Sequence, residues 1–301
     1  MTNKLPAVFL AIILAGWSLV AAQPQQVCID CIDPNGTLIP TCTPVPSNPR
    51  KYVAGSNGLA ETGAIGHYNW NPYIGSRLPV TDPDHEHIPM VRDWDDLTDQ
   101  ILSQLTITNS IAHIGGNSDW VMLFNEPDLA PPAGSSMTVD EVVLGQAIVE
   151  ALFPDKLIVS PAYSPYNYTR LETDYENFYA TYGRYPRWDA IAYHCYFFDT
   201  AAPCMSVLDW MVAFADRIEQ DTGKRPGIWC TEFAALVTTG SAGPNWAPSV
   251  AAASAYIDAM ELLGVERFFI FPHCDEAMPY YECALVIDNK LTPMGEMYRS
   301  K

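Results

Sequence analysis

Positive charge is scarce in this chain: 16 Lys and Arg stand against 35 Asp and Glu, a formal net charge of -19 over 301 residues. Phosphate backbones are bound by clustered basic side chains, so nucleic acid is excluded as a partner and acidic partners are disfavoured with it. An uncharged ligand such as a neutral glycan suits this balance, and so does the plain reading that acidity keeps the protein soluble. Membrane-length hydrophobic runs are missing as well. The apolar stretch from Ala7 to Val20 falls short of the ~20 residues a spanning helix needs, and nothing later is long enough. No GxGxxG or GxxxxGK[ST] loop follows the first predicted strand, and there is no GxSxG elbow or HExxH pair. His85 and His87, in DHEH, are spaced too loosely to specify a metal. No metal and no other cofactor is expected.

What is present begins with a leader. Lys4 precedes the apolar run, and Val20, Ala21 and Ala22 supply the small residues a signal peptidase accepts. Residues 1–22 are therefore expected to be a signal peptide, with secretion to the extracellular space or cell wall and no membrane attachment after cleavage. All eight cysteines lie after it, an even number that favours disulfides in an oxidising compartment. Cys28-x-x-Cys31 lacks the second CxxC or histidine pair of a zinc knuckle. Cys195 with Cys204, and Cys274 with Cys283, are close enough in sequence to pair, among the 105 connectivities that eight cysteines allow. The sequons Asn35-Gly36-Thr37 and Asn167-Tyr168-Thr169 fit a secreted chain. Residues 23–50, rich in Pro, Thr, Asp and Cys without periodicity, are expected to form an irregular cross-linked arm, and 51–301 the folded domain.

Within that domain, short β-type runs recur: KYVAG (51–55), AIGHYNW (64–70), HIPMVRD (87–93), WVMLFNE (120–126), LIVSPAY (157–163), AIAYHCY (190–196), GIWCTEF (227–233) and RFFIFPH (267–273). Helical spacing falls between them at 95–113, 138–152, 205–222 and 249–263, with Thr138 and Glu141 set as a capping box. Strands alternating with helices predict βα units and a parallel sheet buried on both faces. Eight such units predict an α/β fold, a single closed (β/α)8 TIM barrel with a short Cys-rich N-terminal arm; a doubly wound open sheet is the alternative.

In such a barrel the active site lies at the C-terminal ends of the strands. Two glutamates close apolar runs there, Glu126 after WVMLFN and Glu232 after GIWCT. Either alone is an ordinary strand-end carboxylate. Facing each other across one mouth, they form the pair that glycoside hydrolysis needs, one to protonate the leaving oxygen and one to attack or to activate water. Other strand-end polar groups lie at Asn69, Trp70, Arg92, Asp93, Trp94, His194, Tyr196 and His273. Aromatic rings after strand ends, Trp70, Tyr73, Trp94, Tyr163, Tyr166, Tyr196 and Trp246, are candidates for stacking on sugar faces.

FNEPDL followed by LIVSPAYS, WDAIAYHCY, KRPGIWCTEF and CALVIDNKLTPMGEMY resembles the clan A glycoside hydrolases. More narrowly it resembles the secreted "glycosyl hydrolase catalytic core" family, the β-1,3-glucanases like glycoside hydrolase family 128, from about Lys51 to Tyr298. The resemblance implies a retaining mechanism in which Glu126 is the acid/base and Glu232 the nucleophile. It also implies that Asn125 holds the substrate 2-OH and that Tyr196 bonds Glu232; Asn69 and Trp70 fit the family pattern, and His194 and Trp94, from their strand-end positions, complete the expected substrate site. Phe271, Pro272 and His273 depart from it, since many relatives carry Trp at that strand end. A β-glucan polysaccharide or oligosaccharide is the expected partner, and a monomer the expected state. Cleavage of β-1,4-glucan, mannan or xylan, and a non-catalytic glycan-binding role, remain as alternatives.

Overall fold

Every one of the eight β-type runs contributes a strand to one sheet, and every pairing within that sheet is parallel. The structure is a computed structural model, which describes residues 50–55, 62–70, 85–98, 118–240, 243–271, 281–282, 284–287 and 290–301. All belong to the unit Pro49–Lys301. The predicted leader, most of the arm, and Tyr73, His273, Cys274 and Cys283 lie outside the described residues.

The strands of the large sheet are β1 (Arg50–Ala54), β2 (Gly66–Tyr68), β3 (Glu86–His87), β4 (Met90–Val91), β5 (Trp120–Asn125), β6 (Leu157–Ala162), β7 (Ala190–Phe197), β8 (Gly227–Ala235) and β11 (Arg267–Ile270). Short strands β9 (Val237–Gly240), β10 (Gly243–Pro244) and β12 (Tyr281–Glu282) form a second sheet, and β13 (Val286–Ile287) with β14 (Lys290–Leu291) a third.

The expected closed barrel of eight strands is not what the ladders make. The sheet has nine strands in the order β3-β2-β1-β11-β8-β7-β6-β5-β4, open between β3 and β4. The run expected to be one third strand is broken at Ile88 and Pro89. Proline has no N–H to give a ladder, so it is confined to edges, strand starts and bulges. Each half therefore pairs on one side only, β3 with β2 and β4 with β5. The disulfide among the described residues joins Cys195 and Cys204, in mid-chain and not in the expected arm, whose cysteines lie outside the described residues. That pair is one of the two that spacing suggested.

One face of the sheet is filled by side chains from many strands at once. Tyr52, Tyr68, Ile88, Met90, Met122, Val159, Ala190, Ala192, Trp229 and Phe269 form a single buried cluster. At its floor sits Arg267, whose guanidinium lies 4.4 Å from the ring of Trp229, 5.0 Å from Tyr52 and 5.3 Å from Trp120. Glu86 balances that charge at 3.0 Å and accepts from Ser118 Oγ at 2.6 Å. A buried cation is tolerable only when so paired, and aromatic faces add to its stabilisation.

Helices α1 (Val139–Leu152), α2 (Arg170–Tyr182), α3 (Ala202–Thr222), α4 (Trp246–Leu262) and α5 (Pro293–Ser300) are described. The capping box at the start of α1 forms as its sequence predicts, Thr138 Oγ1 accepting from Glu141 N and the Glu141 carboxylate from Thr138 N. Helix α2, between β6 and β7, is polar in composition, with Leu171, Asp174, Tyr175 and Phe178 buried. Of the predicted 95–113 helix, 94–98 are helical and 99–117 lie outside the described residues.

Helix α1 approaches the sheet closely at Gly145, where an added Cβ would fall 2.5 Å from Phe124 Cζ. Phe124 is fully buried and cannot swing aside. Gly145→Ala is therefore expected to destabilise the fold by about 1–3 kcal/mol, as overpacking does, measured by denaturant unfolding. Unchanged stability would show that α1 stands off the strand.

Candidate active site

Strands β7 and β8 run in register from Ala190 opposite Gly227 to Tyr193 opposite Cys230, and then slip by one residue so that His194 faces Glu232. The extra residue is Thr231. Side chains alternate across a strand, and Trp229 points into the interior cluster, so an unbroken β8 would turn Glu232 outward. The bulge restores it to the inner side, the kind of re-aiming for which bulges recur near active sites. Glu232 thus lies within β8, which runs on to Ala235, rather than closing it.

The second carboxylate arrives by a different route. Glu126 directly follows β5, its N–H donating to Ala162 O at 2.8 Å. Its φ is +42°, and that of Phe124 is +20°, a region that costs an ordinary residue about 1–3 kcal/mol and is held only by its surroundings. Those surroundings are the loop behind it. The Glu126 carbonyl accepts from Leu129 N at 3.0 Å and Ser135 N at 3.2 Å. Gly134 presses so close that a Cβ would lie 2.2 Å from the same carbonyl.

The two glutamates meet at His194. Its Nδ1 lies 2.9 Å from Glu126 Oε1 and 3.6 Å from Glu232 Oε2. One oxygen of each carboxylate and a ring nitrogen of His194 all fall within 4.8 Å of one another. All three residues are buried. Glu232 is met by a ring of donors: Tyr68 Oη at 2.8 Å and Trp70 Nε1 at 2.9 Å on Oε1, and Tyr196 Oη on Oε2. Burial and the Glu232 charge push both phenols well above their ordinary range, so they stay protonated donors. Burial alone would pull the His194 imidazole down, but the charge of Glu232 and the hydrogen bond to Glu126 outweigh it and hold it above 6.5.

Two carboxylates and an imidazole are also a donor set for a cation. Among the described residues this is the group with that composition. Three hydrogen-bond donors already occupy three of the roughly four lone-pair sites of Glu232 and leave about one for further chemistry, which suits a nucleophile better than a metal ligand.

Of the residues singled out from sequence, Glu126, Glu232, His194, Tyr196 and Trp70 are brought together. Asn125 adjoins them, its Nδ2 donating to Ala133 O at 3.0 Å while its buried Oδ1 has no partner among the described residues. Asn69 instead pairs with His87 Nε2 at 3.1 Å. Trp94 opens the helical turn after β4, where its carbonyl accepts from Thr98 Oγ1, and it bonds neither glutamate. Tyr163, expected near the mouth, is buried and donates to Asp174. Tyr68 was missed, although strand alternation in HYNW carries it to the same face as Trp70.

A sequence profile described as "Glycosyl hydrolase catalytic core" matches residues 56–298. No curated protein matches the chain by sequence. Among solved structures, a GH128 subgroup I endo-beta-1,3-glucanase from Amycolatopsis mediterranei is 22% identical, with 83% of this chain and 99% of that one covered and a TM-score of 0.58. A GH128 subgroup III curdlan-specific exo-beta-1,3-glucanase from Blastomyces gilchristii is 18% identical, covering 84% and 100% at a TM-score of 0.59. A GH128 subgroup VII oligosaccharide-binding protein from Cryptococcus neoformans is 15% identical, covering 85% and 94% at a TM-score of 0.59. At these identities the likeness is one of fold.

Because its folded pKa lies above the unfolded value, His194 contributes stability that is full below pH 6.5 and is lost as the pH rises through the folded pKa. His194→Gln is accordingly expected to cost about 3 kcal/mol in mild acid, and less at higher pH. Urea unfolding of both proteins across the pH range measures this, and a difference that does not change with pH would make the imidazole neutral.

Proposed function

We propose, from the premise that the chain belongs to the glycosyl hydrolase catalytic core family, that it is a secreted retaining endo-β-1,3-glucanase acting on cell-wall β-glucan. The observation that carries the mechanism is the close approach of the two buried carboxylates, one oxygen of each within 4.8 Å of the other. Retaining glycosidases hold their carboxyl groups about 5–5.5 Å apart, whereas inverting ones leave about 6.5–9.5 Å for a water.

In this reading Glu232 is the nucleophile. Tyr68, Trp70 and Tyr196 donate to its oxygens and fix its orientation. Its oxygen attacks the anomeric carbon while Glu126, protonated, gives its proton to the departing glycosidic oxygen. Water then displaces the sugar from Glu232, with Glu126 now taking the proton. His194 touches Glu126 at 2.9 Å and carries part of the change in charge as that proton leaves and returns. The unpartnered Oδ1 of Asn125 is an acceptor for a sugar hydroxyl, and Trp70 with Phe271, 5.9 Å apart in an edge-to-face pair, offers an apolar wall to the ring. The leader over residues 1–22 supports secretion.

The Cryptococcus neoformans protein, described as oligosaccharide-binding on the same fold, favours a second reading, a glycan-binding protein without turnover. Hydrolysis of laminarin, with products sized and their anomeric form followed by NMR, separates the two. Glu126→Gln and Glu232→Gln are each expected to lower kcat by about 10³-fold or more, with unfolding transitions intact. Near-wild-type turnover in either variant would overturn the mechanism, and laminarin binding without any product would favour the second reading.

A further inference from the structure

Two residues past Glu126, the carboxylate of Asp128 is gripped from the segment that follows β6. It accepts from Ser164 N at 3.1 Å, Ser164 Oγ at 2.5 Å and Asn167 Nδ2 at 2.8 Å. These bonds outweigh the effect of burial and hold Asp128 below the usual carboxylate range. Asn167 heads the sequon Asn167-Tyr168-Thr169. Its side chain is exposed, and it sits between two tight turns, its N–H donating to Ser164 O at 3.0 Å and its carbonyl accepting from Arg170 N at 2.9 Å. Thr169 is exposed at the N-cap of α2, where a threonine ordinarily bonds the first turn, yet it makes no side-chain cap bond. The hydroxyl that a sequon requires is thus free of any capping duty in the fold.

We propose that Asn167 carries an N-linked glycan, and that its linkage nitrogen is the same atom that holds Asp128 beside the acid/base glutamate. The amide nitrogen bears two hydrogens. In the transfer, Nδ2 bonds to the anomeric carbon of a lipid pyrophosphate-linked oligosaccharide, the lipid pyrophosphate leaves with the electron pair, and one N–H proton is lost. The other N–H remains to donate to Asp128. The glycan then stands on the rim over which the chain leaves β5, and braces the segment that keeps Glu126 at its positive φ. Occupancy of the site rests on secretion alone; the consequence for turnover rests on the hydrolase reading above.

The full chain, secreted from a eukaryotic host, is digested and mapped before and after peptide N-glycosidase, which converts a glycosylated asparagine to aspartate. The expected result is that the peptide containing Asn167 gains the aspartate mass mark only after treatment; an unmodified peptide in secreted protein would overturn the proposal. Thr169→Ala removes the glycan alone, and Asn167→Gln removes the glycan and the bond to Asp128. Thr169→Ala is expected to keep kcat on a short laminari-oligosaccharide, whereas Asn167→Gln lowers it about five- to tenfold with KM little changed, because a displaced acid/base group affects the chemical step. Equal kcat in the two variants, with matching melting transitions, would overturn the link to Glu126. A wild-type protein that is glycosylated at Asn167 but releases no product would count against the hydrolase reading and leave the modification site standing.

Discussion

A carboxylate removed from water has to be met by donors, and much of this molecule follows from meeting that need at Glu232. Its partners come from widely separated strands: Tyr68 from β2, Trp70 from just beyond it, His194 and Tyr196 from β7. In the sheet, β1 and β11 lie between β2 and β8. The sheet must therefore curve strongly for a tyrosine on β2 to reach an acid on β8. The same curvature gathers the interior cluster, so packing and site geometry are one constraint seen at two heights of the strands.

The parallel strands, though not the open edge between β3 and β4 that replaces a closed barrel, were legible in the apolar runs, because strands of a parallel sheet are buried on both faces and show themselves as hydrophobic segments. The pair Glu126 and Glu232 was legible for the same reason, as charges that interrupt such segments. Local departures from regular geometry left no mark of that kind. Nothing in GIWCTEF shows that Thr231 is bulged, although the inward aim of Glu232 depends on it. The Pro89 in HIPMVRD did mark its break, but a proline in a short run also suits a strand start, so the split into β3 and β4 needed three dimensions. Tyr163 shows the opposite error. It follows a strand as Trp70 does, yet it turns away to Asp174, and sequence position could not tell one direction from the other.

The two glutamates are held by contrasting means. Glu232 sits in regular strand structure adjusted by one residue, and hydrogen bonds to its own oxygens fix it. Glu126 sits outside the strand in unfavourable backbone, and contacts to its main chain from Leu129, Ser135 and Gly134 fix it. This difference suits the reaction proposed for them. A nucleophile that becomes covalently bonded gains from a rigid, pre-aimed carboxylate. An acid that later acts as a base must accept and release the same proton, and its setting in a loop leaves its carboxyl oxygens less encumbered.

Arg267 and its aromatic box close the sheet interior from below, with Tyr52, Trp120 and Trp229 around the guanidinium and Glu86 beside it. Above them the interior cluster is buried. In the reaction proposed, a glucan would therefore meet the described residues at the strand ends, and which of its bonds is cut would be decided there and not within the sheet.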